Sequence, residues 1–254
     1  MLDEVKEISL PEAKALIQKY HYSKVMPRIT KYAIGGFIKD ELVAVCTLGW
    51  GVRPLHTIKK AFPILDTKDY YEIGKLCVSD DCPKNTESYF ISRVIKWIKS
   101  NLDIKILFSW SDGIIGKPGY VYQASNFFYG GYIETEMYLN GDGVRVHART
   151  MQGLSTGERV GKFKSRAYEV TKSMGYTKYF GYQFRYVYPI ISNKKWKLIA
   201  DSSPFEWARN GYPKDIDCKW KVQVKKGVHE VCNKPPFKIT EYINKNNNVS
   251  NFFD

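Results

Sequence analysis

The stretch DGIIGKPGYVYQASNFFYGGY, residues 112–132, decides which fold the sequence predicts. It follows the apolar run IKILFSWS, which predicts a buried strand, and its first glycines let the backbone turn after Asp112. The next residues predict a helix over about 119–129. Gly130 and Gly131 would end that helix in a left-handed cap before another strand. Asp112 is therefore expected at the carboxyl end of a central strand, where open α/β sheets bind ligands.

The predicted helix presents polar side chains on one side, namely those of Tyr122, Asn126 and Tyr129. Packing alone explains the exit glycines and the two phenylalanines of this stretch. It explains Asp112, Tyr122 and Asn126 less well, because their polar groups would point into a crevice at the strand end. These residues are therefore candidates for a functional site.

Outward from this stretch, helix-type and strand-type patterns alternate and predict a single domain of the α+β or α/β class with a mixed central sheet. Ser9, followed three residues later by Glu12, predicts a capping box at the start of a helix. Residues 51–69 are expected to form a loop. The other predicted elements are a hairpin turning at Lys39-Asp40-Glu41, a strand over about 70–80, a helix after Pro83, strands meeting at 140–143, a basic helix over about 158–172 and a strand over 177–190.

The C-terminal quarter of the chain lacks a clear periodicity. We predict one main domain over residues 1–190 and an irregular extension over 191–254, which packs on that domain or extends it. Several prolines, three tryptophans and an asparagine-rich tail over 244–251 distinguish the extension. The composition of the tail is typical of flexible chain.

Composition excludes several classes of protein. No apolar run approaches the ~20 residues of a membrane span, and the acidic N-terminus is unlike a signal peptide, so we expect a cytoplasmic protein with no membrane partner. The five cysteines are an odd number and are expected to be reduced thiols. Cys218, His229 and Cys232 could hold zinc, but no paired Cys-x-x-Cys completes that pattern.

Positive charge is concentrated in one part of the sequence. The chain has a net charge of +13, and residues 145–197 contain 12 basic and two acidic residues, interleaved with aromatic rings. Cations among flat rings suit phosphates and unstacked bases, although a solvated basic face over an aromatic core is the alternative. The candidate nucleic-acid contacts are Arg145, Arg149, Lys162, Lys164, Arg166, Lys172, Lys178 and Arg185.

A second candidate site lies where a predicted strand leads directly into the helix after Pro83. The first N–H groups of a helix are unpaired and lie at the positive end of its dipole, so they can bind pyrophosphate. Lys84 adds a charge there. The signal is weak because no glycine-rich loop is present, and an ordinary strand-to-helix connection would look the same. The residues of this candidate site are Pro83, Lys84, Asn85, Thr86 and Ser88.

These motifs together resemble a known family. The pattern of Asn126 and Tyr129 followed by Gly131-Tyr132 and a strand resembles the last helix and strand of the GNAT acyltransferase fold. More specifically, the chain resembles the Mom family of bacteriophage DNA-modification proteins, a divergent GNAT-like group. The resembling segments occur in order over residues ~20 to ~190. They are HYSK (21–24) with Pro27, EIGKL (72–76), DCPKNTES (81–88), SWSD (109–112) and GYVYQASN (119–126).

The resemblance implies a DNA-modification enzyme with a GNAT-like catalytic domain over residues 1–190. Such an enzyme converts the exocyclic N6 of adenine in DNA to a carbamoylmethyl (methylcarbamoyl)-type derivative and shields phage DNA from restriction. The resemblance also implies that the enzyme uses acetyl-CoA or a related acyl-CoA, bound by residues 83–88 together with Asn126 and Tyr129. Lys75 stands where relatives tend to have arginine, so the bidentate hydrogen bonding of a guanidinium group is lost at this position. The active-site residues carried over are His21, Tyr22, Lys75, Asp112 and Tyr122.

The residue types suit this chemistry. An adenine amine is a poor nucleophile, and a base such as Asp112 or His21 could take its proton during attack. Reaching N6 in double-stranded DNA requires the base to be flipped out, and Tyr22 or Tyr122 could stack on it. His21 and Asp112 could also bind iron(II). His21 also has an alternative explanation that involves no chemistry, because a positive charge near the C-terminus of a helix interacts favourably with the helix dipole.

Two other functions stay open at this point. One is a GNAT N-acetyltransferase that acts on a small-molecule or protein amine, for which the basic stretch would be incidental. The other is a DNA-binding protein without catalysis. The sequence also leaves open whether the chain forms a homodimer.

Overall fold

The computed structural model describes residues 2–51, 53–146 and 168–238. The chain divides into two compact units, each assembled from separate segments. Unit 1 comprises Met1–Ser111, Gly119–Tyr132 and Phe184–Tyr212, and unit 2 comprises Asp112–Pro118, Ile133–Gln183 and Pro213–Asp254. The division at residue 190 stays a prediction.

Unit 1 is a mixed sheet with helices packed on it. Its elements are β1 (Glu4–Ile8), α1 (Leu10–Tyr20), β2 (Ile29–Ile38), β3 (Glu41–Trp50), α2 (Pro54–Ala61), β4 (Tyr70–Val78), α3 (Thr86–Asn101), β5 (Ile106–Ser111), α4 (Tyr120–Ala124), the start of β6 (Phe128–Leu139), the end of β8 (Thr177–Pro189) and α6 (Asn193–Asp201). The strands lie in the order β1-β2-β3-β4-β5-β8, with only β4 and β5 parallel among these neighbours. The predicted α+β fold with a mixed sheet is therefore confirmed.

Local sequence signals set several boundaries of this unit. Ser9 and Glu12 form the predicted capping box at the start of α1. Lys39 and Asp40 both have positive φ, of 48° and 66°, so β2 and β3 are joined by a two-residue turn of the type I′ class. This turn matches the right-handed twist of the two strands, which explains why the predicted hairpin forms here.

Helices α1 and α3 cover opposite faces of the sheet. Successive residues of a strand point to opposite faces. Val45 packs with α1, whereas Phe90 of α3 lies on the side of Gly36 and Ala44. The apolar stripe predicted for α3 is buried as expected. A further cluster joins α2 and α6 to β4, β5 and β8 through Phe62, Tyr70, Phe108, Val187 and Trp196.

Unit 2 contains the remaining parts of β6 and β8 and the elements that pair with them. Strand β7 (Arg145–Val146) pairs with β6, β9 (Trp220–Lys225) pairs with β8, and β10 (Val228–Cys232) pairs with β9, all antiparallel. The unit also holds a short 3-10 turn at Gly113–Ile115 and helix α5 (Tyr168–Ser173). Most of the predicted basic helix over 158–172 lies outside the described residues.

The predicted helix over 119–129 is wrong in its second half. Helix α4 ends at Ala124 because Asn126 adopts a left-handed conformation with a φ of 59°. The N–H groups of Asn126 and Phe127 then donate to the carbonyls of Gln123 and Tyr122, which is a Schellman motif. Tyr129 and the two following glycines consequently belong to strand β6.

Two further expectations are corrected. Residues 51–69 are not a plain loop, because they contain α2 and a 3-10 turn at Thr67–Asp69. The expected irregular segment after residue 190 contains α6, β9 and β10. Both regions lack a long periodic pattern because their elements are short. No helix among the described residues is long and apolar enough to cross a bilayer.

Candidate functional site

The C-terminal end of α1 places His21 beside Tyr22. The backbone N–H of His21 donates to the Ile17 carbonyl at 3.0 Å and ends the helix. The imidazole is 9% exposed and stacks on the Tyr22 ring at 4.3 Å between centroids. Its Nδ1 accepts a hydrogen bond from the Ser23 backbone N–H at 2.9 Å. The neutral ring therefore carries its proton on Nε2, which makes His21 a donor at that atom.

The chain after His21 passes close to the strand that carries Lys75. A β-carbon added at Gly74 would lie 2.7 Å from Cγ of Pro27 and 3.0 Å from Oγ1 of Thr47. The pairing of β3 and β4 shifts by one residue at this point, between Thr47 and Leu48. The structure thus brings together two segments that the sequence singled out, the one from residue 21 to Pro27 and the one around Lys75. Only a glycine allows so close an approach.

Glu72 is a polar residue of this region that the sequence analysis did not select. Its carboxylate is 8% exposed and accepts from the Tyr70 hydroxyl at 3.2 Å. Burial raises the pKa of the Glu72 carboxyl above its usual value, while hydrogen bonds from Gly51 and Tyr70 oppose that shift. An acidic residue in a strand that is expected to be mostly buried is the signal that could have identified it.

The raised pKa of Glu72 predicts a pH dependence of stability. The folded protein binds this proton at a higher pH than the unfolded chain does, so the contribution of Glu72 to stability falls as the pH rises through its pKa. Glu72→Gln removes the buried charge and is expected to raise the Tm at pH 7. The difference from the wild type should shrink as the pH falls towards 4.5. Thermal melts at several pH values measure this difference, with the exposed Glu87→Gln as control. A difference that does not vary with pH would contradict the assignment.

The start of α3 forms the expected strand-to-helix junction after β4. Asn85 is the cap residue in a left-handed conformation, with a φ of 71°, and its side chain makes no capping hydrogen bond. Thr86 and Ser88 donate their hydroxyls to the Pro83 and Asn85 carbonyls at 2.6 and 3.0 Å. Lys84 is exposed. A helix start with a cap side chain that does not occupy the first-turn N–H groups is suited to an anionic group.

Tyr122 and Tyr129 lie in an aromatic cluster around Tyr186. Their ring centroids are 5.3 and 5.7 Å from that of Tyr186, whose hydroxyl accepts from the amide of Gln123 at 3.1 Å. Tyr122 is 8% exposed. Its ring is therefore largely committed to packing. Asn126 is exposed and ends α4, as described above, so its conformation has a structural explanation.

Asp112 lies in unit 2 and directly follows β5 in the chain. Its backbone oxygen accepts from the N–H groups of Ile115 and Lys117 at 3.0 and 3.1 Å. Its side-chain Oδ1 accepts from Nε2 of Gln183 at 2.8 Å, and the residue is half-buried. The position at the end of a central strand is as predicted. The amide of Gln183 fixes the orientation of the carboxylate.

The basic candidates are not equivalent in the structure. Lys178 is 12% exposed at its side chain and pairs with Glu136 at 2.5 Å. Lys172 is exposed and Arg145 is half-buried, and both lie in unit 2 with Lys178. Arg149, Lys162, Lys164 and Arg166 lie outside the described residues.

Arg185 is buried in unit 1, so its prediction as a nucleic-acid contact is wrong. It is 7% exposed, stacks over the Phe205 ring at 3.7 Å and donates to the Tyr132 carbonyl at 2.7 Å. Burial lowers the pKa of its guanidinium. Its Nε and Nη1 have no hydrogen-bond partner among the described residues. An arginine in a strand that faces the core cannot reach a DNA phosphate from this position.

The described residues do not offer a metal site. No group of three or more His, Cys, Asp or Glu side chains in this part of the chain is arranged to hold an ion. The described residues therefore give no support to iron(II) binding by His21 and Asp112. The same holds for Cys218, His229 and Cys232 as a zinc site.

The fold is that of an α+β protein with a mixed sheet. Helix α3 starts directly after β4, the first strand of the parallel β4–β5 pair in unit 1. Comparison with known proteins extends this description. The model of the Mom protein family matches residues 3–214. The methylcarbamoylase mom of Escherichia phage Mu is 31% identical over 160 residues, which span 63% of this chain and 66% of that relative, just under two thirds of its length. The chain therefore belongs to the Mom protein family.

Solved structures give weaker likenesses. An N-acetyltransferase from Staphylococcus aureus Mu50 is 14% identical with a TM-score of 0.40, covering 74% of this chain and 98% of that one. An aminoglycoside 6'-acetyltransferase type Ii is 12% identical with a TM-score of 0.41, covering 75% and 99%. The Escherichia coli GNAT protein YhbS in complex with CoA is 8% identical with a TM-score of 0.37, covering 50% and 69%. All three TM-scores are below 0.5, so the fold description rests on the strand order and pairing.

Proposed function

We propose that this protein is a phage-type DNA modification enzyme. It converts the N6 amine of adenine in double-stranded DNA to a carbamoylmethyl-type derivative and thereby protects the DNA from restriction in the cytoplasm of an infected bacterium. The observation that carries the proposal is membership of the Mom family over residues 3–214. The name methylcarbamoylase of the phage Mu relative supports the kind of group that is added.

Asp112 is the base in this proposal. The lone pair of the adenine amine is delocalised into the ring, so attack requires that its proton be removed as the new bond forms. The structure favours Asp112 over His21 for this task. Nδ1 of His21 already accepts from Ser23, so its Nε2 carries a proton and cannot take another in the neutral ring. An ionised carboxylate can accept at either oxygen, and Gln183 orients that of Asp112.

His21 and Tyr22 bind and orient the substrate in this proposal. The Nε2–H of His21 can donate to an oxygen or ring nitrogen of the substrate. Tyr22 is half-buried and stacks on His21 by one face, so it is better suited than the buried Tyr122 to contact an extruded adenine. Tyr122 then supports the site through packing in the cluster around Tyr186. Stacking on aromatic rings stabilises a base that has left the duplex.

An acyl-CoA, acetyl-CoA or a relative of it, is the proposed donor. The start of α3 suits its pyrophosphate, since the Asn85 side chain makes no capping hydrogen bond to the first turn and Lys84 adds a positive charge. Lys75, half-buried on β4, supplies a point charge for a phosphate or carbonyl oxygen. When bound, the donor would supply an activated acyl group and release CoA as the thiol, while the amide nitrogen of a carbamoylmethyl-type product would come from a separate nitrogen-containing co-reactant. Asn126 and Tyr129 keep a weaker place in this proposal, because the structure explains their positions through helix termination and packing.

Restriction of plasmid DNA tests the proposed function. Plasmid prepared from cells that express the protein is expected to resist a panel of restriction enzymes with adenine in their sites, whereas plasmid from cells with an empty vector is cut. If every enzyme cuts both plasmids equally while the protein is abundant and folded, the proposal fails. Transfer of an acetyl group to small amines or peptides by the same preparation would then favour the N-acetyltransferase reading.

A further inference from the structure

The hairpin of β9 and β10 carries an excess of positive charge that the proposed function does not use. Residues 219–238 contain six lysines and one glutamate, a net charge of +5. The two strands pair from Trp220 with Cys232 to Lys225 with Val228, and Lys226-Gly227 connects them. Gly227 has a φ of 74°, which permits the tight reversal. This segment lies beyond residue 214, where the match to the family model ends.

The lysines of the hairpin are presented to solvent. Lys225 and Lys226 at the tip are exposed, and so are three others of this segment, Lys219, Lys234 and Lys238. Lys221 pairs with Glu134 at 3.0 Å. In contrast, among the predicted nucleic-acid contacts, Lys178 is paired with Glu136 and Arg185 is buried. Exposed lysines are therefore grouped at the tip of the two-stranded ribbon and on the chain that enters and leaves it.

The same hairpin is fixed to the loop that begins with Asp112. The indole N–H of Trp220, the first residue of β9, donates to the Ile114 carbonyl at 2.8 Å. After β10, the ammonium group of Lys234 lies so close to Gly116 that an added β-carbon there would be 2.7 Å from it. A ligand held by the hairpin would thus be held at a defined position relative to the Asp112 loop, within the same compact unit.

We propose that the β9–β10 hairpin binds the phosphate backbone of duplex DNA and holds it beside the Asp112 loop. Five exposed lysines, two at the tip of the hairpin and three on the chain directly before and after it, are complementary in charge to a phosphate chain, which selects this partner. A β-ribbon is narrow enough to follow a groove of the duplex. This inference rests on the proposed function for the nature of the partner. It adds a DNA contact outside the basic stretch that the sequence singled out.

The salt dependence of DNA binding tests the hairpin. Each phosphate contact contributes about 0.9 to the slope of log K against log salt concentration. The double variant Lys225→Ala, Lys226→Ala is expected to bind a ~20 bp duplex more weakly and to reduce the magnitude of that slope by about 2. The control is Lys194→Ala, Lys195→Ala, which removes two adjacent exposed lysines of α6 and the same charge. Its slope is expected to equal that of the wild type.

The outcomes separate this inference from the proposed function. Equal slopes for the two double variants, with a wild type that binds DNA and protects plasmid from restriction, would overturn the hairpin contact and leave the proposed function standing. A wild type that neither binds the duplex nor protects plasmid would overturn both. A selective loss in the hairpin variant supports the inference, whether or not the identity of the added group has been established.

Discussion

Asp112→Asn is expected to lower the rate of adenine modification by about 10²–10⁴-fold, the usual contribution of a general base. The asparagine side chain retains an oxygen that can accept from Gln183, so the 3-10 turn after β5 should keep its structure. It cannot take a proton from the adenine amine. The measurement is the fraction of adenosine that is modified among the nucleosides of a DNA digest. The DNA is either incubated with each purified protein or isolated from cells that express it.

A matched control for this variant is Asp142→Asn. Asp142 is an exposed aspartate of the turn before β7, so the change removes the same charge from unit 2 without touching the Asp112 loop. This control should modify DNA at the wild-type rate. If Asp112→Asn folds, binds DNA and modifies adenine as fast as Asp142→Asn does, Asp112 is not the base.

Gly130→Ala is expected to destabilise the fold by about 3 kcal/mol, at the upper end for overpacking of a rigid core. A β-carbon at this position of β6 would overlap the six-membered ring of Trp207. That ring cannot move away easily, because its Nε1 donates to Ser203 Oγ at 2.8 Å and its face stacks on Phe62 at 4.9 Å. In a chain of this size, such a loss lowers the Tm by roughly 10 °C.

Gly131→Ala provides the comparison for this prediction. Gly131 has a φ of 77°, which costs an alanine roughly 1–2 kcal/mol. No atom of the described residues, other than those of its chain neighbours, lies within 4 Å of its added β-carbon. Melting curves of the two variants should therefore rank Gly130→Ala as clearly the less stable. If Gly131→Ala is equally or more destabilising, the close packing of Trp207 on β6 is not what limits this site.

The sequence predicted those elements whose signals are local. The Ser9–Glu12 capping box, the polar turn at Lys39-Asp40 and the apolar stripe of α3 each depend on residues within a few positions of one another. Such signals survive in the fold because no distant contact competes with them. The mixed sheet followed from the order of these elements.

One error arose where a distant contact decides the structure, and another where a single residue adopts a left-handed backbone conformation. Gly130 reads as a helix terminator, but its small size serves the approach of Trp207, 77 positions later in the chain. The helix before it is ended by Asn126, which tolerates a left-handed conformation almost as glycine does. Neither the tryptophan contact nor the early end of α4 can be recognised from periodicity.

The candidate site shows the same division. His21, Tyr22 and Lys75 were selected by resemblance, and their roles stay predictions. Glu72 belongs to a resembling segment but was not selected as a site residue, although its burial and raised pKa set it apart in the structure. Arg185 was misassigned because charge counts do not show which face of a strand a side chain occupies.

Mass spectrometry of nucleosides from DNA of cells that express the wild-type protein is the most direct test of adenine modification. The expected result is a new adenosine-derived nucleoside, absent from cells with an empty vector, whose added mass corresponds to a carbamoylmethyl-type group on the exocyclic amine. An unchanged set of nucleosides, from cells in which the protein is abundant and folded, would contradict adenine modification.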